Sequence, residues 1–138
     1  MQETHYSLSP IGILHSPLKE REEAPNQGRE GAPNAWLEVN AKVSAGLEGI
    51  AVGDEIIVIT WLHKAGRDTL KTHPRNDETA PLAGVFATRS PDRPNPLGLH
   101  RVKVLSITGE RLQVGPIEAI DGTPVVDIKP VLLQSADA

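Results

Sequence analysis

The chain has 138 residues, 38% of them apolar, which suits one domain with a modest core. A net charge of −4 and an aromatic content of 3% argue against a protein that holds nucleic acid by bulk charge or by a broad stacking platform. The absence of cysteine excludes a disulfide framework and thiolate metal sites, and no apolar run reaches the roughly 18 residues of a membrane helix, so the chain reads as soluble and cytoplasmic, with no membrane partner.

Residues 8–14 read as a first strand, closed by Ser16-Pro17. Residues 19–34 are polar and carry Pro25, Gly28, Gly31 and Pro33, a long loop. Trp36 to Val43 alternates apolar and polar, as a half-buried strand does. Residues 47–50 fit one helical turn, ended by Gly53. Glu55 to Leu62 is β-branched and nearly continuous, a strand expected to be covered on both faces. Residues 64–82 read as a second long loop.

Residues 84–88 (Gly-Val-Phe-Ala-Thr) read as a short buried strand. Further strands are expected over 99–107, 112–114, 117–120 and 125–133, with turns at Glu110-Arg111 and at 121–124 (Asp-Gly-Thr-Pro). Pro130 places the last strand at an edge or a bulge. About seven strands with little helix favour a mainly β fold, a small closed β-barrel.

The run at 83–99 is the most informative. After Thr88 it becomes a loop with Pro91, Pro94 and Pro96, two arginines (Arg89 and Arg93) and the amide of Asn95. Proline fixes its own φ and restrains the residue before it, so these polar groups lose little freedom when a ligand arrives. No dinucleotide fingerprint, phosphate-binding loop or hydrolase elbow occurs. The five histidines never pair at i, i+2 or i+4, so no metal site is read. His63 ends the strongest strand and faces either solvent, as a polar cap, or the same mouth as Arg89. Asp127 and Lys129 share one face of the last strand, as a surface ion pair would.

The run from Gly84 to Leu99, the run from Asp121 to Pro130 and the opening Ile11 to Pro17 together resemble the TsaA-like (TrmO-type) family over residues 9–131. The resemblance implies a single β-barrel domain that works as a homodimer and binds S-adenosylmethionine. It further implies methyl transfer to the exocyclic nitrogen of threonylcarbamoyladenosine, beside the anticodon of tRNA. By the same resemblance, Pro25, Asn26, Gln27, His63, Lys64, Arg89, Leu99, Asp121, Gly122, Thr123 and Pro124 form the cofactor pocket. Arg93, Asn95 and Lys129 belong to the signature loops, and Asp121 or His63 accepts the proton. The chain departs from the family pattern at Val131, where a tyrosine is usual, and at His15, Asn26 and His100. It is read as lacking the extra carboxy-terminal domain of longer members. Rival readings are a barrel that uses the same cofactor on a small molecule, and a regulatory module without catalysis.

Overall fold

The computed structural model describes residues 3–20 and 31–132. Strands β1 (Gly12–His15), β2 (Ala35–Val39), β3 (Glu55–Trp61), β6 (Leu97–Thr108), β7 (Arg111–Gly115) and β8 (Pro124–Pro130) close an antiparallel barrel in the order β1-β2-β7-β6-β3-β8. A separate two-stranded sheet pairs β4 (Lys71–Thr72) with β5 (Ala83–Gly84). Closure leaves few open edges for another chain to pair with.

The interior follows from strict alternation. Leu14, Leu37, Val58, Val104, Leu112, Val114 and Val125 are fully enclosed, while most of their neighbours along the strands are half-buried or exposed. β3 alternates too. Its outward residues Ile57, Ile59 and Trp61 are only half buried, so the expectation of cover on both faces is corrected.

Local chemistry moves several other boundaries. The first strand is Gly12–His15 rather than 8–14. The second stops at Val39, because Asn40 caps a 3-10 segment over Ala41–Leu47 with its side chain accepting from the Lys42 N–H at 3.0 Å. The helical turn expected at 47–50 therefore lies earlier. The loop over 64–82 contains β4 and a short 3-10 turn, Pro74–Asn76.

The buried strand expected at 84–88 is the largest correction. Only Gly84 continues β5, and Val85–Ala87 form a 3-10 turn that buries Val85 and leaves Phe86 81% exposed. The turn wins because the Val85 carbonyl accepts from the Thr88 N–H, the Thr88 hydroxyl and the Arg93 guanidinium. Residues 117–120 are no strand either. Ile117 and Ala119 join the barrel core and Ile120 is buried beside it, with the Ile117 N–H bound to the Pro33 carbonyl. Pro130 does sit at an open edge, since β1 pairs with β8 only at Pro124 and Val125.

Candidate functional site

The register puts the working loops at one end of the barrel. His15 pairs with Trp36, Ala35 with Val114, Trp61 with Leu97, and Ile13 with Pro124. The last residues of β1, β3 and β7 therefore share that end with the first residues of β2, β6 and β8. From it hang the segments that carry His63, Arg89, Arg93 and Asp121.

The proline-rich loop is fastened by the segment that follows β3. The Leu62 N–H donates to the Pro96 carbonyl at 2.8 Å, and the Arg93 N–H to the Gly66 carbonyl at 3.0 Å. The Gly66 N–H donates to Asp92 Oδ1 at 2.8 Å. Arg67 completes the zipper, with Nε on the Pro94 carbonyl at 2.7 Å and Nη2 on Asn95 Oδ1 at 3.1 Å. Arg67 escaped the sequence reading, because no spacing in the irregular 64–82 stretch marks it.

The two arginines of the loop play different parts. Arg93 turns its guanidinium onto the Thr88 carbonyl, at 3.2 and 3.1 Å, and onto the Val85 carbonyl. It holds the 3-10 turn in shape. Arg89 makes no hydrogen bond or ion pair among the described residues and remains able to bind an anion.

The Asp121 turn is fastened to the segment after β1. Asp121 Oδ1 accepts the Ser16 N–H at 2.9 Å, and Lys19 Nζ lies 3.2 Å from Oδ2. The Ser16 N–H, then Lys19, hold this carboxyl below its usual range. Gly122 takes a φ of 83°, which a side chain resists, and its N–H donates to the Leu14 carbonyl at 2.8 Å. Lys64 Nζ reaches the Lys19 carbonyl at 3.4 Å. His63 is held below its ordinary value of 6.5, first by partial loss of water and then by the Lys64 charge.

From these loops a cleft of about 1370 Å³ runs along β3 and β6 as far as the Glu55–Lys103 pair. It brings together His63, Lys64, Arg89, Arg93, Leu99 and Thr123. Asp121, Gly122 and Pro124 flank Thr123 without lining the cleft, and Asn95 is likewise outside its lining. Lys129 points elsewhere, 3.3 Å from Asp127, as an ion pair on β8. Pro25, Asn26 and Gln27 lie outside the described residues. Lys64, Arg75, Arg89, Arg93, Arg101 and Lys103 border the cleft against the carboxylates Glu55, Asp92 and Glu118, so an acidic chain carries a local basic surface. Glu118, three residues before the Asp121 turn, was also missed.

A family model described as the tRNA-methyltransferase O N-terminal domain matches residues 13–138. The chain belongs to this family. A probable S-adenosyl-L-methionine-binding protein of Methanothermobacter thermautotrophicus is 38% identical over 130 residues, covering 94% of this chain and 93% of that one. Another, from Archaeoglobus fulgidus, is 43% identical over 123 residues, covering 89% of this chain but 33% of the relative. The crystal structure of TrmO from Pseudomonas aeruginosa superposes with a TM-score of 0.74 at 30% identity, over 98% of this chain and 61% of that chain. The family chain thus spans a third of that Archaeoglobus relative and about three fifths of the solved TrmO chain.

Proposed function

We propose that the cleft binds S-adenosylmethionine and that the protein transfers its methyl group to the exocyclic nitrogen of threonylcarbamoyladenosine in tRNA. The observation that carries this reading is Arg89, a guanidinium without a partner among the described residues, on the rim of a fastened cleft.

The residues fit the cofactor's parts. Arg89 offers a planar fork to a carboxylate. Leu99, 52% exposed on β6, offers an apolar wall to a purine. Thr123 and the backbone of its turn offer polar atoms to ribose or ring edges. The chemistry supplied by bound S-adenosylmethionine is an electrophilic methyl carbon on a sulfonium. The protein's share is positioning and exclusion of water, for which loops held by their own hydrogen bonds are suited. The acceptor nitrogen must lose a proton. His63, neutral at neutral pH because its pKa is lowered, is the group proposed to take it. Asp121, bound at both oxygens, serves the frame.

The basic border of the cleft supports an RNA substrate, since phosphates need cations locally whatever the net charge. Such a substrate places the reaction in the cytoplasm. Phe86, Leu97 and Leu99 leave apolar surface at the same end, at 81%, 40% and 52% exposure, which supports a homodimer. Among the described residues no helix is long and apolar enough to cross a membrane.

Calorimetry with S-adenosylmethionine, followed by methyl transfer to threonylcarbamoyl-modified tRNA, tests the reading. Binding and transfer are expected. Binding without transfer to that RNA refutes the substrate, and absence of binding refutes the whole.

A further inference from the structure

Three polar side chains run in a line from the barrel wall to the cleft. Thr60 on β3 is fully enclosed, with Oγ1 2.8 Å from Nε2 of His100 on β6. The His100 side chain is 4% exposed, and its Nδ1 lies 2.8 Å from Glu118 Oε1. A neutral ring satisfies both contacts when Nδ1–H donates to the carboxylate and Nε2 accepts the Thr60 hydroxyl. Gly98 leaves room for this line: a Cβ there would stand 2.6 Å from Thr60 Oγ1 and 2.8 Å from His100 Nε2.

Glu118 is the outer member, with a side chain 22% exposed, and it borders the cleft. Its Oε2 joins no hydrogen bond or ion pair among the described residues. No enclosed side-chain nitrogen or oxygen among those residues lacks a partner, so Oε2 is open to solvent. The other carboxylates of the cleft are engaged differently. Glu55 Oε2 is gripped by Arg101 Nε and Nη2 at 2.8 and 2.6 Å. Asp92 Oδ1 holds the Gly66 N–H. Glu118 alone is fixed at one oxygen by a buried ring and open at the other. A buried group with both nitrogens committed sets its direction in advance, so little ordering remains for binding.

Among the described residues the cleft thus holds two guanidinium groups without a partner, Arg75 and Arg89, and one half-open carboxylate, Glu118. A guanidinium and a carboxylate on one cleft offer the two charges that complement the carboxylate and the ammonium of an α-amino acid. We infer that Glu118 Oε2 receives the α-ammonium of the methyl donor's amino-acid end, and that His100 is the positioning residue behind it. The inference rests on the proposed function of the cleft. Glu118→Gln tests it well. His100 Nδ1–H keeps the amide oxygen, which turns the amide NH2 toward the cleft and replaces an acceptor with a donor.

The experiment is calorimetry with S-adenosylhomocysteine, which has the amino-acid end, and methylthioadenosine, which lacks it. Glu118→Gln is expected to weaken the first by about tenfold or more, on the scale of a lost charged hydrogen bond, and to leave the second unchanged. His100→Asn is expected to shift the same ligand in the same direction by less. A merely structural role moves both ligands and the melting temperature together, and that result overturns the inference. So does a variant that binds S-adenosylhomocysteine as the unmodified protein does, or one that changes only the KM for RNA. Should the variants not fold, the unmodified protein is titrated with deaminated S-adenosylhomocysteine, where equal affinity overturns the inference. An unmodified protein that binds neither nucleoside refutes the proposed function itself, a result separable from failure of Glu118 alone.

Discussion

The Arg67 guanidinium lies over the Trp61 ring, 5.2 Å from its centroid, while its nitrogens bind the Pro94 carbonyl and Asn95 Oδ1. One exposed side chain thus ties the end of β3 to the proline-rich loop. Its planar shape matters, because a lysine cannot stack and bind two acceptors at once. Arg67→Ala is expected to lower stability by about 1 kcal/mol, the scale of an exposed cation–π contact and a modest hydrogen bond. Hydrogen exchange should show faster amides over 92–96, with β1 and β2 unchanged. Unchanged exchange in the loop would remove Arg67 from this role.

Arg89 and Arg93 sit four residues apart and should respond oppositely to truncation. Arg89 has no partner among the described residues, so Arg89→Ala should leave unfolding unchanged and weaken S-adenosylmethionine binding by about 1.5–3 kcal/mol. Arg93 caps the carbonyls of Val85 and Thr88. Arg93→Ala should therefore lower stability by about 1.5–3 kcal/mol, the range for hydrogen bonds to a charged group. Urea unfolding and calorimetry on the two variants separate the roles. A destabilised Arg89→Ala would mean that its side chain is held after all.

That contrast shows what the sequence could carry. Alternation in Trp36–Val39 and the β-branched run in Glu55–Trp61 were legible, because side-chain period follows directly from strand geometry. The closed barrel was legible from the number and shortness of such runs. A shared mouth for His63 and Arg89 was legible as one of two readings of a strand end, while the place of Thr123 in the same pocket came through family resemblance, since distance in sequence says nothing of register. The turn at Val85–Ala87 was not legible, because a guanidinium eight residues later helps decide it. Nor was the line from Thr60 to Glu118, whose members lie on three separate segments.

Gly12 marks where β1 is pressed against β2. A Cβ at this position would fall 2.4 Å from the Glu38 carbonyl oxygen, a backbone atom that cannot swing aside. The strand pair Gly12 with Val39 must then shift as a unit. Gly12→Ala is expected to destabilise by about 1–3 kcal/mol, as overpacking does in a tight interior. Denaturant unfolding reads the effect, and a neutral variant would show that β1 can move away from β2.

His63 makes stability depend on pH in a defined direction. Partial loss of water and the neighbouring Lys64 charge hold its pKa below the ordinary 6.5. The unfolded chain therefore takes up this proton first as pH falls. The contribution to stability is absent well above 6.5 and becomes a loss as pH drops through and below that value. His63→Gln cannot take the proton, so its stability should decline less steeply over the same window, with the two proteins alike at pH 8. Urea midpoints measured across pH 5 to 8 check this. Parallel curves would mean that the folded ring binds its proton as readily as the unfolded one, and a ring of that kind would be partly charged at neutral pH and a poorer acceptor in the cleft.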